Sequence, residues 1–228
     1  IGVVFIIALF APIIAPHDPM KINLPSRLTP PGVQYLFGTD NLGRCILSSI
    51  IYGARATLFV GIIIVLISAL FGTILGVIAA YKGGIIDEII MRCVDVLLAF
   101  PGMILALVIA GLLEPSHLSI ILALSVVGWT VYTRLVRGVV LSVKEMDYIY
   151  AARSLGFSEL QILKNHVLPN AMAPVIVMVS FNMAHIILAI STLKFLGIGV
   201  QPTSPEWGAM LNAGRTFIAT SPHMTIFP

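Results

Sequence analysis

Charge is what this sequence has least of. Only 10% of its 228 residues are Asp, Glu, Lys or Arg, against about 25% in an average soluble domain. Thirteen basic and ten acidic side chains are too few to clothe a soluble globule, so a soluble enzyme, a nucleic-acid binder and a disordered chain are all poor candidates. The net charge of +3 contains no basic block able to track a phosphate backbone. Cysteine is equally scarce: Cys45 and Cys93 have neither metal-ligand nor disulfide-framework spacing and read as small hydrophobes. There is no Gly-x-x-x-x-Gly-Lys-Ser/Thr loop to hold ATP, no His-Glu-x-x-His and no paired intramembrane carboxylates, so no catalytic residues are expected. Period-2 alternation is missing too, which leaves helices as the way to satisfy a backbone in lipid. What the sequence has in excess is apolarity, at 58% hydrophobic residues and a mean hydropathy of +1.04. It reads as an all-α, polytopic membrane helix bundle.

Residues 58–80 carry no charge and make roughly 34 Å of helix, enough to cross a bilayer with some tilt. Further spans are expected over 96–113, 118–140 and 170–196, the first of these preceded by an amphipathic turn holding Asp87, Glu88, Arg92 and Asp95. Residues 1–14 are too short to cross alone. The expectation is four complete spans and one partial span in a single domain, 1–228, whose two ends both read as cut and which shows no signal peptide. Segment 15–57 is Pro-rich and polar, an extramembrane excursion, and 197–228 returns to a Pro-rich, Trp-bearing surface. Lys and Arg divide almost evenly between the two sides, so charge counting does not orient the bundle.

Segment 141–169 stands apart. Residues 146–155 carry an apolar stripe (Ile149, Ala152, Leu155) ended by Gly156, a residue type suited to a left-handed helix stop. Ser158 to Gln161 reads as a capping box opening a second helix, which Pro169 is expected to close near the membrane surface. Ala151 and Ala152 leave one side thin enough for another protein to approach. An interfacial helix pair lying on lipid is the rival, but the charges of Lys144, Glu145, Asp147, Arg153 and Glu159 are mixed in sign, which favours a protein partner.

The run Asp147-Tyr148-Ile149-Tyr150-Ala151-Ala152-Arg153-Ser154-Leu155-Gly156, with His166-Val167-Leu168-Pro169-Asn170, resembles the EAA loop of ABC-importer permeases, with Asp147 where Glu is usual. Phe37-Gly38-Thr39-Asp40-Asn41-Leu42-Gly43-Arg44 after the first span (with Cys45 where Asp usually follows), Asp95-Val96-Leu97-Leu98-Ala99-Phe100-Pro101, Phe195-Leu196-Gly197-Ile198-Gly199 and Ser204-Pro205-Glu206-Trp207-Gly208-Ala209-Met210 are similar to segments of the second permease in peptide and nickel importers. The resemblance implies a six-helix fold with both termini inside, a multi-pass location in a prokaryotic cell membrane, and a cytoplasmic 141–169. It also implies partners: a second homologous permease, two ATP-binding subunits that carry ATP and Mg, and an extracytoplasmic substrate-binding protein. Asp147, Tyr148, Ala151, Ala152, Arg153, Leu155 and Gly156 would then couple to the ATPase. Gly38, Thr39, Asp40, Gly43 and Arg44 would form the outer-loop motif, where Asp40 and Arg44 either shape the loop or meet the binding protein.

Polar residues inside a bilayer usually face a bundle interior or an aqueous path. Met178, Asn182, His185, Ala189 and Thr192 follow 4-3-4-3 spacing on the last span, one helix face, and are the expected translocation path. His185 with a nearby Met could touch a metal transiently, or simply bond to neighbouring helices. By resemblance, a His at 185 and no Glu near Ile190 lean toward nickel, free or chelated, with di- or oligopeptide as the alternative and an ion-coupled secondary transporter as a remote one. Elsewhere the readings are structural. Ser68, Gly72 and Gly76 form a small-residue row for close helix packing, and Pro101 bends its span. Glu88 with Arg92, and Arg92 with Asp95, are spaced to pair, while Arg134 and Arg137 anchor the inner end of a span.

Overall fold

The computed structural model describes residues 2–199 and 205–228; Ser204 of the Ser204-Pro205-Glu206-Trp207 motif lies outside them. Eleven α-helices are found among these residues. α1 (Gly2–Leu9) and α2 (Ala11–Ile14) are short. α3 (Ile46–Lys82), α4 (Gly84–Ala99), α5 (Gly102–Leu112), α6 (His117–Lys144), α7 (Asp147–Ser154), α8 (Glu159–Ile162) and α9 (Leu168–Phe195) follow, then α10 (Trp207–Gly214) and α11 (His223–Ile226). Three helices are long and apolar enough to cross a membrane: α3, α6, and the run Glu159–Phe195 that α8 and α9 build together.

Two expected helix boundaries need correction. The span expected over 96–113 is not one helix, because α4 and α5 meet at a bend of 91°. Pro101 causes it. The proline has no N–H to donate and pushes the preceding residue out of the helical region, and Phe100 accordingly takes an extended ψ of 144°. The eleven residues of α5 make about 16 Å, roughly half a hydrocarbon core. The pair counts as one span only if both arms are taken together. Pro169, in turn, does not close a helix. A π turn at Leu163–Val167 widens the ladder just ahead of it, and the helix runs on through Pro169 to Phe195. A wider turn takes up the hydrogen-bond register at the point where a proline cannot donate.

The chain divides into two compact units. One comprises Ile64–Ala106 and Ala123–Met183. Its core joins Ala69, Val77, Ala80, Tyr132, Val136, Val140, Ile149, Ile162, Val167 and Val175. Here α3 lies directly on α6: a Cβ on Gly72 would sit 2.5 Å from the Trp129 carbonyl oxygen, and one on Gly76 2.7 Å from that of Thr133. Ser68 faces Gly128 in the same seam. The expected small-residue row is therefore a backbone-on-backbone contact, strengthened by the Thr133 hydroxyl donating to the Gly72 carbonyl at 3.2 Å. Arg137 clamps Asp87 with two bonds of 2.5 and 2.6 Å. Arg134 takes Asp95 at 2.6 Å, so Asp95 pairs across to α6 and only Glu88 faces Arg92, at 3.6 Å.

The other unit comprises Ile1–Ile63, Leu107–Leu122 and Ala184–Pro228. The 15–57 excursion is folded here. Trp207 donates from Nε1 to the Ile50 carbonyl at 3.0 Å, and Phe37 stacks on Phe227 with centroids 4.3 Å apart.

Candidate functional site

The 141–169 segment is a compact helix–turn–helix held from inside. α7 presents Ile149 and Ala152 inward to the core of its unit. It stops in a Schellman turn: Phe157 N donates to the Ala152 carbonyl at 3.2 Å and Gly156 N to that of Arg153 at 3.0 Å. Gly156 has φ 84°, a conformation that costs a residue with a Cβ appreciable strain. α8 then opens in the expected capping box, with Ser158 Oγ accepting from Gln161 N and the Gln161 side chain accepting from Ser158 N at 2.8 Å.

The sequence reading missed what fastens this loop to the bundle. Tyr81, at the end of α3, donates its hydroxyl to Glu159, reaching both the carbonyl at 2.8 Å and the carboxylate at 2.5 Å. Arg153 grips the same carboxylate at 2.9 Å, and Lys144 Nζ donates to the Ala80 carbonyl at 2.9 Å. The hydrogen bond from Tyr81 and then the one from Arg153 hold the Glu159 carboxyl below its ordinary range, while the carboxylate in turn holds the Arg153 guanidinium above its own. No regular spacing links residue 81 to residue 159, so no sequence signal marks the pair.

Outside these ties the loop is open. Tyr148, Tyr150, Leu155, Phe157 and Leu160 are all exposed, Leu155 at 78% and Leu160 at 74%. Asp147 and Ala151 are exposed as well. Ala152, expected on the open side, is buried at 7%, because α7 needs a small residue where it meets the core. The free face of the helix thus centres on Ala151 and Tyr150.

On α9, Met178, Asn182 and Ala189 are half-buried while His185 and Thr192 are exposed. The buried residues Val175, Met183, Ile190 and Leu193 occupy the adjoining face of the same helix. Thr192 spends its hydroxyl on the Leu188 carbonyl, 2.8 Å away. Among the described residues no three His, Cys, Asp or Glu side chains gather as a metal site would need.

The 38–44 motif is a knot. Asp40 accepts from Leu42 N and Arg44 N at 2.8 Å each and pairs with the Arg44 guanidinium at 2.6 Å. Thr39 is fully buried; its hydroxyl donates to the Ser26 carbonyl and accepts from Thr29 N, and its own carbonyl meets His223 at 3.2 Å. Gly43, at φ 74°, admits no side chain: a Cβ would fall 1.8 Å from the Asn23 carbonyl oxygen. A second feature unread from sequence lies in the same unit. Lys194, at the end of α9, and Glu206, at the start of α10, form an ion pair whose side chains are 1% and 3% exposed, with His117 Nε2 at 3.5 Å from the same carboxylate. A lysine among apolar residues is a signal for such a partner, but Glu206 lies beyond the span and its approach needed the fold.

The family described as "Binding-protein-dependent transport system inner membrane component" matches residues 72–226. The chain belongs to that family. It is the permease subunit of an ABC importer and an inner-membrane protein. The permease is 41% identical over 239 residues to the dipeptide transport system permease protein DppC of Haemophilus influenzae, covering all of this chain and 81% of that one. It is 36% identical to the probable D,D-dipeptide transport system permease protein DdpC of Escherichia coli, over 100% and 76% of the two chains. With the glutathione transport system permease protein GsiD of Pectobacterium atrosepticum it shares 39% identity over 97% and 74%. A solved structure titled as an amino acid ABC transporter with histidines superposes with a TM-score of 0.61 at 16% identity, covering 79% of this chain and 84% of that chain. That likeness speaks for the helical fold alone.

Proposed function

We propose that this permease forms half of the translocation path of a di- or oligopeptide importer, pairs with a second similar permease, and is driven through its 141–169 loop by two ATP-binding subunits that carry ATP and Mg. An external binding protein delivers the peptide. The observation that carries the coupling role is the division of labour in that loop. Ile149, Ala152, Arg153 and Glu159 are spent on holding it rigid, while Asp147, Tyr148, Tyr150, Ala151 and Leu155 face outward with Gly156 fixing the turn. A rigid, outward-facing handle transmits motion where a floppy tether would absorb it, and two arrangements of the bundle then need only be biased by the nucleotide cycle. In this reading 141–169 is cytoplasmic and 15–57 lies outside.

Peptide is favoured over nickel as cargo by the relatives, whose names are those of dipeptide, D,D-dipeptide and glutathione permeases. One of the two positions behind the nickel expectation also weakens. Ile190 is 1% exposed on the packing face of α9, so its lack of charge says little about a path. His185 stays on the proposed path face with Met178, Asn182 and Thr192, as a hydrogen-bonding group for peptide amides rather than a metal ligand.

The direct test is a paired uptake assay in cells carrying the complete transporter. Labelled dipeptide is expected to accumulate in an ATP-dependent way and labelled nickel is not; the reverse result overturns the cargo assignment. Charging the handle with Leu155→Glu and Leu160→Glu together is expected to abolish ATPase co-purification while the permease still inserts. Retained co-purification and uptake would remove the coupling role.

A further inference from the structure

A groove of about 240 Å³ opens on the side of the first unit, lined by Phe5, Ala8 and Leu9 of α1 and by Arg55, Leu58, Phe59 and Ile62 of α3. The α3 residues fall at i, i+3, i+4 and i+7, which is a single helix face. Arg55 stands one turn before the uncharged run 58–80, a run long enough to cross a hydrocarbon core by itself, and the remaining lining descends from it into the apolar run. The floor is closed by Ala8 and Leu58, both buried, while Phe5, Leu9 and Phe59 stay 49%, 64% and 67% exposed. Arg55 is exposed and, among the described residues, has no ion pair or side-chain hydrogen bond. By contrast, Arg92 on α4 and Arg134 and Arg137 on α6 each have a carboxylate, in Glu88, Asp95 and Asp87 respectively.

We propose that this groove is a binding site for an anionic phospholipid, with the headgroup phosphate on the Arg55 guanidinium and one acyl chain along Leu58, Phe59 and Ile62 against α1. The two halves of the site match the two halves of that molecule. A guanidinium presents a fork of donors suited to phosphate oxygens. An apolar trough directly below it suits a chain and offers nothing to a polar ligand. A helix of another protein would fill the trough but would have to bring a carboxylate of its own to the Arg55 end, whereas a phospholipid carries both parts in one molecule. The proposal is independent of the transported cargo.

The test uses the assembled transporter, permease pair and ATPase subunits together. Native mass spectrometry after transfer from nanodiscs of mixed phosphatidylglycerol and phosphatidylcholine is expected to show retained phosphatidylglycerol. Arg55→Gln should lower that retention about fivefold, the factor for one basic residue at an anionic lipid surface, and Arg55→Lys should keep most of it. Equal retention of the two lipids, or unchanged retention in Arg55→Gln, overturns the site. A benzophenone amino acid in place of Phe59 gives a second readout within a complex of native charge. A lipid-mass adduct supports the proposal, and a cross-link to the second permease alone overturns it.

Discussion

Each of the two units of this permease is ordered internally by different means. In the unit containing the 141–169 loop, order comes from repetition: glycines one turn apart put α3 on α6, arginines one turn apart reach α4, and a capped helix pair follows. In the unit containing 15–57, order comes from single contacts between distant residues. Trp207 finds the Ile50 carbonyl, His223 finds that of Thr39, and Lys194 finds Glu206. Periodic packing spreads its stabilisation over many small terms, whereas a few long-range contacts concentrate it. The second arrangement should fail abruptly at one residue and the first gradually.

The sharpest way to test that difference is the buried ion pair. Glu206→Ala or Lys194→Ala alone strands a charge and is expected to cost about 3–5 kcal/mol, seen as loss of monodisperse protein in fluorescence-detected gel filtration. Removing both charges with Lys194→Met and Glu206→Leu should recover most of the thermal stability, and a double variant as poor as the singles would show that the pair serves something beyond mutual neutralisation. Next in size is the helix seam. Gly76→Leu drives a side chain into α6 and should destabilise by about 1–3 kcal/mol, read as a lowered unfolding midpoint, with Gly138→Leu, at a position open to space, nearly silent. Smaller again is the Tyr81 hook: Tyr81→Phe keeps the ring and removes the bond to Glu159. Hydrogen exchange is expected to quicken over residues 153–161 while the α3–α6 seam is unchanged.

The smallest effect is one of pH. The bonds from Tyr81 and Arg153 hold the Glu159 carboxyl below its unfolded value, so its contribution is complete above the ordinary carboxylate range. That contribution is lost as the pH falls through the depressed folded value. Protection of 153–161, corrected for intrinsic exchange, should be flat near neutrality and decline only in acid. Glu159→Gln should show no such decline, and an acid loss persisting in that variant would assign it to another group.

What could be read in advance divides by sequence separation, not by unit. Ser68, Gly72 and Gly76, Ser158 with Gln161, and Gly156 each act within one helix turn or one cap, and periodicity exposes such features. The Asp40–Arg44 pair was equally local. Tyr81 with Glu159 and Lys194 with Glu206 were not legible, because the partners are brought together only by the completed chain trace. Pro101 was recognised as a bend but not as a right angle, since the angle depends on how far Phe100 swings into extended backbone. Pro169 misled because a proline normally ends a helix, and the compensating π turn before it has no signature in composition.

That π turn has a consequence for how the permease can be tuned. A π turn holds one more residue than the α turn it replaces, and each residue of an α-helix is a step of about 100° around the axis. Deleting one residue within Leu163–Val167 would therefore re-aim everything N-terminal to it by more than a quarter revolution while leaving the shaft beyond Pro169 in place. The compass bearing of the handle is set by a single inserted amino acid.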